Sequence, residues 1–207
     1  DSGFHTAMND VSRSTPFRTQ ADYENYIARL EALPAFLDQN VANMRQGLDN
    51  GFTQPKEILP YVLPSFEAQA TGVAAEHPLY APFAAMPDSI PPDERADLER
   101  DGARVLQEKV IPAFARVLAF MKDEYVPRAR ASLGVSSAPG GEAYYAALVR
   151  YYTTLEDATP DSVHALGLRE VARIRAGMEA VMKQAGFAGT FEEFQAFLRT
   201  DEQFYAK

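Results

Sequence analysis

The chain contains no cysteine among its 207 residues. This absence excludes a thiol nucleophile, thiolate metal ligands and a disulfide framework, and it is compatible with both the cytoplasm and an oxidising compartment. Histidine is nearly as scarce, with only His5, His77 and His164. No pair of these has the close spacing that places two imidazoles on one helical face around zinc, so the sequence predicts no metal site in this chain.

Three further absences narrow the possible functions. No apolar run approaches the roughly 18 residues that cross a bilayer, so we expect no membrane span. The sequence has no GxSxG elbow, no phosphate-binding P-loop and no dinucleotide glycine pattern, and no catalytic residue is therefore assigned. Basic residues are also fewer than acidic ones, 20 against 29, which gives a net charge of −9. Such a chain repels the phosphates of nucleic acid, and we exclude nucleic acid as a partner.

What is present is the composition of a folded helical protein. Apolar residues make up 46% and charged residues 24% of the chain, which is long enough to bury a core without metal or disulfide support. Apolar residues recur at three- and four-residue spacing, and no segment shows the sustained two-residue alternation of a half-buried strand. We therefore predict an all-α fold, an irregular bundle of long amphipathic helices that forms a single helical region over residues 1–207.

Prolines and glycines divide this pattern. Pro34 suits a first helical position, so two helices are expected to meet near Leu33. Residues 77–92 carry five prolines interleaved with large apolar side chains, which predicts an ordered loop packed against the helices. Residues 133–141 form a break rich in glycine, serine and proline.

Two helix starts are predicted in the last third of the chain. Thr159-Pro160 provides an N-cap followed by a proline at the first helical position. The long amphipathic helix after it is expected to bury one stripe: Val163, Leu166, Val171, Ile174, Met178, Val181 and Met182. The segment Thr190-Phe191-Glu192-Glu193 is a capping box that opens a short terminal helix.

One segment combines glycines with aromatic and basic residues in a way that can line a cleft. Paired glycines allow a ligand to approach the backbone, amides at a helix start bind carboxylates, and tyrosine and arginine make adaptable polar contacts. The plainer interpretation is a loop that enters a helix whose tyrosines pack in a bundle. Likewise, His164 fits either the cleft or the edge of a core. The candidate residues are Gly140, Gly141, Tyr144, Tyr145, Arg150, Thr154 and His164.

The same segments carry a resemblance to a known family. Pro139-Gly-Gly-Glu-Ala-Tyr-Tyr, Tyr151-Tyr-Thr-Thr, the stretch from Thr159 to Val171 and Phe197-Leu-Arg-Thr-Asp201 resemble the bacterial domain-of-unknown-function family 885. Similar residues upstream, around Asp22-Tyr23, extend the likeness over nearly the whole chain.

The resemblance implies a long, mostly helical protein, exported or lipid-anchored in many members, related to zinc-dependent peptidases whose HExxH helix lies well downstream of this region. Zinc is then expected in a longer parent protein and not in this chain. The glycine–tyrosine turn and the His164 helix would buttress or line the substrate cleft. The chain would be localised to the periplasm, secreted or lipid-anchored, with a cytoplasmic location still open.

Two hypotheses follow for function. In the first, the chain is a piece of a larger zinc metallopeptidase or hydrolase, inactive alone, whose partners are the remaining portions of the parent chain and a peptide substrate. In the second, it is a self-contained, non-enzymatic bundle that binds a peptide or protein through exposed aromatics, including Phe204 and Tyr205. In a piece cut from a larger protein, an apolar patch near these aromatics would also favour a homodimer.

Overall fold

The computed structural model describes residues 3–205 and confirms an all-α architecture. No β-strand occurs in this range, although Pro55 and Arg130 form one isolated bridge. The chain divides into two compact units, the first ending at Gly141 and the second beginning at Glu142. Each unit is described by itself. None of the helices within residues 3–205 combines the length and the apolarity that crossing a bilayer requires.

Helices α1 to α7 belong to the first unit. Its core lies where α2 packs against α5 and α6, and where α3 packs against α6. Short 3₁₀ turns link several of the helices. The bounds are α1 Phe4–Ser14, α2 Gln20–Asp49, α3 Leu59–Ala70, α4 Ala81–Ala84, α5 Pro92–Val105, α6 Ile111–Phe120 and α7 Val126–Arg128.

The predicted break near Leu33 is wrong, because α2 is continuous through Pro34. Proline removes one backbone donor and crowds the preceding turn, at a cost of about 3 kcal/mol in a helix interior. The helix persists because its apolar stripe spans the proline: Leu30 and Leu37 are fully buried and Leu33 nearly so. Burying each such leucine contributes about 1.5–3 kcal/mol, so tertiary packing outweighs the local penalty.

The segment from α5 to α7 is one long helix with two π-helical interruptions. The interruptions are Leu106–Val110 and Met121–Tyr125, and each ends two residues before a proline, at Pro112 and Pro127. A proline ring clashes with the carbonyl of the residue four positions earlier in a regular α-helix. A π turn inserts one extra residue and thereby relieves this clash.

Ion pairs show that α2 and the long helix run parallel. Lys109 bonds to Glu31 and Arg116 to Asp38, each across 78 residues of sequence. From the second π segment onward the separation becomes 79, in the pairs of Arg45 with Glu124 and of Arg128 with Asp49. The constant offset defines a parallel register, and the inserted π residue shifts it by one. Each of these exposed pairs contributes little to the free energy of folding. Their main effect is to favour this register between α2 and the long helix.

The proline-rich loop is ordered, as predicted. Leu79 and Phe83 within it have no exposed surface. The Tyr26 hydroxyl donates to the carbonyl of Leu79 at 3.0 Å, and burial raises the pKa of Tyr26 to about 12, which keeps this donor protonated. Gly102 of α5 faces the Phe83 ring so closely that a Cβ there would lie 2.6 Å from it. The loop is therefore part of the core.

The second unit contains α8 Gly141–Thr153, which begins at the boundary, α9 Pro160–Gln184 and α10 Phe191–Thr200. Both predicted helix starts are confirmed. The Thr159 side chain accepts from the amide of Ser162, and the Thr190 side chain accepts from the amide of Glu193.

The predicted buried stripe of α9 is not buried. Within residues 3–205, α9 and α10 contain no buried residue. Val171 is 68% exposed, and Ile174 and Met178 are nearly half exposed. The periodicity correctly predicts an amphipathic helix, but within the second unit α10 covers its apolar face only in part.

Candidate functional site

The two adjacent glycines before α8 have different structural roles. Gly140 has a φ of +69°, and a Cβ there would meet no atom within 4 Å. At Gly141, a Cβ would lie 1.8 Å from the carbonyl oxygen of Val135. The close approach at Gly141 is thus to the chain's own backbone. The backbone at Gly140 is open, as the approach of a ligand requires.

Helix α8 presents four tyrosines to solvent. Tyr144 and Tyr151 are seven residues apart, as are Tyr145 and Tyr152, so they form two adjacent columns on one side of the helix. All four are exposed, and the rings of Tyr151 and Tyr152 meet edge to face at 5.2 Å. Arg150 is exposed beside them. We call these four tyrosines the tyrosine face.

Thr154 ends α8 in a conformation that its side chain disfavours. Its φ is +60°, and among residues 3–205 it is the single non-glycine residue with a positive φ. Its amide still donates to the carbonyl of Arg150 at 2.9 Å, which closes the last turn. A β-branched residue in this left-handed position is a genuine outlier, and such outliers concentrate at functional sites.

Replacing Thr154 by glycine is expected to stabilise the protein. Glycine adopts the left-handed region without a steric penalty, so Thr154→Gly should raise the free energy of unfolding by about 1 kcal/mol. Urea unfolding followed by circular dichroism measures the change. The control is Thr153→Gly, which places glycine inside the helix and should destabilise it by about 1 kcal/mol. A loss of stability on Thr154→Gly, or the same shift for both variants, would contradict the assignment of strain to Thr154.

The three histidines occupy different surroundings. His164 is exposed on α9. His77 is buried, its Nε2 lies 3.2 Å from the carbonyl of Gln69, its Nδ1 accepts from the amide of Leu79, and burial lowers its pKa. His5 is also buried and bonds to Ser65 at 2.8 Å. Throughout the described range, no three His, Asp or Glu side chains are grouped so as to hold a metal ion.

Helices α9 and α10 form an open apolar groove of about 500 Å³. Met178 and Val181 of α9 face Phe194 and Leu198 of α10 across it. The guanidinium of Arg175 lies 3.9 Å from the ring centroid of Phe191 at one side. Next to the groove, Phe197 contacts the rings of Phe187, Phe194 and Phe204. Together these groups form a second exposed apolar surface, which we call the α9–α10 groove.

The structure thus places the predicted residues at four positions. The two glycines lie at the entry to α8, the tyrosines and Arg150 are exposed on α8, Thr154 follows its last residue, and His164 lies on α9. The structure adds the α9–α10 groove, which the sequence analysis missed. The sequence carries a signal for it, because the apolar stripe of α9 and the three phenylalanines spaced three residues apart after Thr190 each define one apolar helix face. The prediction that the α9 stripe is buried within the chain leaves no place for an open groove beside it.

Comparison with known proteins identifies a matching family and a similar solved structure. The family model described as "Bacterial protein of unknown function (DUF885)" matches residues 1–207. A crystal structure of "the putative lipoprotein from Colwellia psychrerythraea" is similar to the chain with a TM-score of 0.85 and 22% sequence identity. The match covers 100% of this chain and 36% of that protein, so the chain spans about a third of its length. No curated protein matches the chain significantly.

Proposed function

Because the chain belongs to the DUF885 family of bacterial proteins, we propose that it is the upstream helical portion of a larger zinc-dependent peptidase or related hydrolase, in which it forms a wall or support of the substrate cleft. The expected zinc ligands and the residue that activates water lie outside this chain. Its own residues contribute shape, apolar contacts and polar groups for the substrate.

The observation that carries this proposal is the uncovered apolar surface of the second unit. A 25-residue amphipathic helix with its apolar stripe in solvent loses the burial that normally stabilises such a helix. Soluble proteins rarely leave so long an apolar stripe in contact with solvent. Such a stripe is normally covered by another protein surface. The structural neighbour is nearly three times as long as the match, which supports a further part of the protein as that cover.

The cleft wall is assigned to the entry of α8 and its tyrosine face. The open backbone at Gly140 leaves room for an extended peptide, and the exposed tyrosines and Arg150 supply contacts to its side chains and carboxylates. The strain at Thr154 fits a position held for function. His164 is assigned to the support of this wall.

An exported or lipid-anchored location accompanies the proposal. The structural neighbour is described as a "putative lipoprotein", and the absence of cysteine from residues 1–207 is compatible with an oxidising compartment.

The experiment compares the product of the complete gene with the 207-residue chain. Zinc content is measured on both, and hydrolysis of a mixed peptide library is followed by mass spectrometry. The longer protein is expected to bind zinc and to cleave peptide bonds, with activity lost on chelation and restored by zinc. The 207-residue chain should do neither. A complete protein that binds no zinc, or binds it and cleaves nothing, would contradict the proposal.

The covering of the α9–α10 groove is tested separately. In the complete protein, Met178→Asp with Val181→Asp should lower the unfolding temperature by several degrees, because two carboxylates would enter an apolar interface. The control Ala176→Asp places one carboxylate on the opposite, exposed face of α9 and should change little. In the 207-residue chain, both substitutions should be nearly neutral. If they are neutral in the complete protein as well, the groove is not covered there.

A second candidate function is a non-enzymatic bundle that binds a peptide or protein partner, or a second copy of itself. The exposed tyrosine face, Phe204 and Tyr205 favour it, because aromatic side chains are enriched at interfaces. Light scattering of the complete protein over a concentration series distinguishes the self-association form, which predicts a dimer that Tyr151→Asp with Tyr152→Asp dissociates.

A further inference from the structure

A cavity of about 670 Å³ opens in the first unit between α1, α2, α3 and the second π segment. This volume is within the range of small-molecule sites, roughly 300–1,000 Å³. Most of its lining is apolar, with Met44, Val62 and Met121 among the wall residues, and no lining residue carries a charged side chain. Two buried polar side chains, His5 and Tyr125, also line it.

His5 offers an acceptor to this cavity. Its ring is 4% exposed and stacks on Phe66 with centroids 3.8 Å apart. Ser65 donates its own hydroxyl proton to the carbonyl of Val62 at 2.6 Å, so the Ser65 oxygen accepts from Nε2 of His5 at 2.8 Å. Nδ1 therefore carries the lone pair of the neutral ring. Burial lowers the pKa of His5, which keeps the ring neutral at pH 7.

Nδ1 is the ring nitrogen of His5 that does not bond to Ser65. Among residues 3–205 it has no hydrogen-bond partner. It lies next to Gly3, where a Cβ would come within 2.9 Å of it. An acceptor on the wall of a largely apolar cavity can fix the orientation of a ligand that donates to it.

Tyr125 offers the complementary donor. Its side chain is 5% exposed, and its hydroxyl oxygen accepts from the amide of Gln54 at 3.1 Å. The hydroxyl proton has no acceptor within the described residues. Tyr125 and Met121 both come from the π segment, a local deformation that is frequent at functional sites.

We propose that this cavity binds an uncharged, largely apolar small molecule whose head group both donates and accepts a hydrogen bond, as a primary amide does. The amide N–H would donate to Nδ1 of His5, and the amide carbonyl would accept from the hydroxyl of Tyr125. A charged head group is disfavoured, because it would lose its hydration without meeting an opposite charge. The site lies within the first unit and does not depend on the proposed peptidase role.

The test measures binding to the 207-residue chain by isothermal titration calorimetry at about pH 7.5. The probe is 4-phenylbutanamide, and 4-phenylbutanoate and 4-phenylbutylamine are its charged analogues of similar size. The amide is expected to bind with one-to-one stoichiometry, and each charged analogue at least about tenfold more weakly. No binding of the amide up to its solubility limit, or equal affinity for the three probes, overturns the proposal.

Two substitutions locate the site. His5→Phe keeps the ring stacked on Phe66 but removes the acceptor, and Tyr125→Phe removes only the hydroxyl. Each should weaken amide binding about fivefold, whereas Tyr80→Phe, which does not line the cavity, should leave it unchanged. Circular dichroism checks folding, and if His5→Phe unfolds, Tyr125→Phe decides by itself. Unchanged affinity in the correctly folded variants overturns the proposal.

Discussion

Replacing Gly141 by alanine is expected to destabilise the protein by about 3 kcal/mol or more. A Cβ at this position would overlap the carbonyl oxygen of Val135, at a distance of 1.8 Å, and would also press on the Ser136 backbone. These atoms belong to the main chain of the 3₁₀ turn Val135–Ser137, so no side-chain rotation relieves the overlap. Either the turn or the first residue of α8 has to move. Urea unfolding of the 207-residue chain measures the loss.

The neighbouring glycine provides the matched control. Gly140 has a positive φ but open space around its Cα, so Gly140→Ala should cost only about 1 kcal/mol for the left-handed backbone. The two variants carry the same chemical change one residue apart. Equal losses would show that conformational strain, and not the contact with Val135, determines the requirement for glycine. A destabilisation below about 1 kcal/mol at Gly141 would contradict the close approach itself.

Removing the Phe83 ring is expected to destabilise the protein by about 3–5 kcal/mol. The ring has no exposed surface and contacts the rings of Tyr23, Tyr26 and Tyr80 at centroid distances between 5.6 and 5.9 Å. On the α5 side, the ring packs directly against Gly102, which has no side chain to occupy that space. Phe83→Ala would therefore leave a cavity bordered by three aromatic rings and a helix backbone, a site that collapses poorly.

Phe52→Ala removes the same ring from a position that is 64% exposed, and it should change the free energy of unfolding by no more than about 0.5 kcal/mol. Chemical denaturation of both variants gives the comparison. A small loss for Phe83→Ala would mean that residues 77–92 are a surface loop that folding does not require. The interleaved prolines and apolar side chains of this segment predict instead that it packs against the helices.

The sequence predicted best where local chemistry decides the structure. The caps at Thr159 and Thr190 involve residues three positions apart, and the structure shows both contacts. The helical class follows from spacing alone. The continuity of α2 could not be predicted in this way, because it depends on burial of Leu30, Leu33 and Leu37 against helices far along the sequence.

The candidate site was predicted less completely, for a related reason. Apolar periodicity on α9 predicts that one face is to be covered, but it carries no information on which surface covers it. The cavity beside His5 and Tyr125 joins residues 120 positions apart, and no spacing rule connects them. The glycine pair was recognised, whereas the carbonyl that makes Gly141 necessary became visible only in the folded turn.

The parallel pairing of α2 with the long helix has a consequence for folding kinetics. Most helical bundles form quickly, because antiparallel neighbours are joined by short loops and meet early. Here the paired residues are 78 or 79 positions apart along the whole length of the contact. A loop of this size must close before any of the pairs forms, and the entropy of closure opposes each attempt. The first unit should therefore fold more slowly than an up-and-down bundle of equal length, with α3 and the proline-rich loop already placed when α2 and α6 meet.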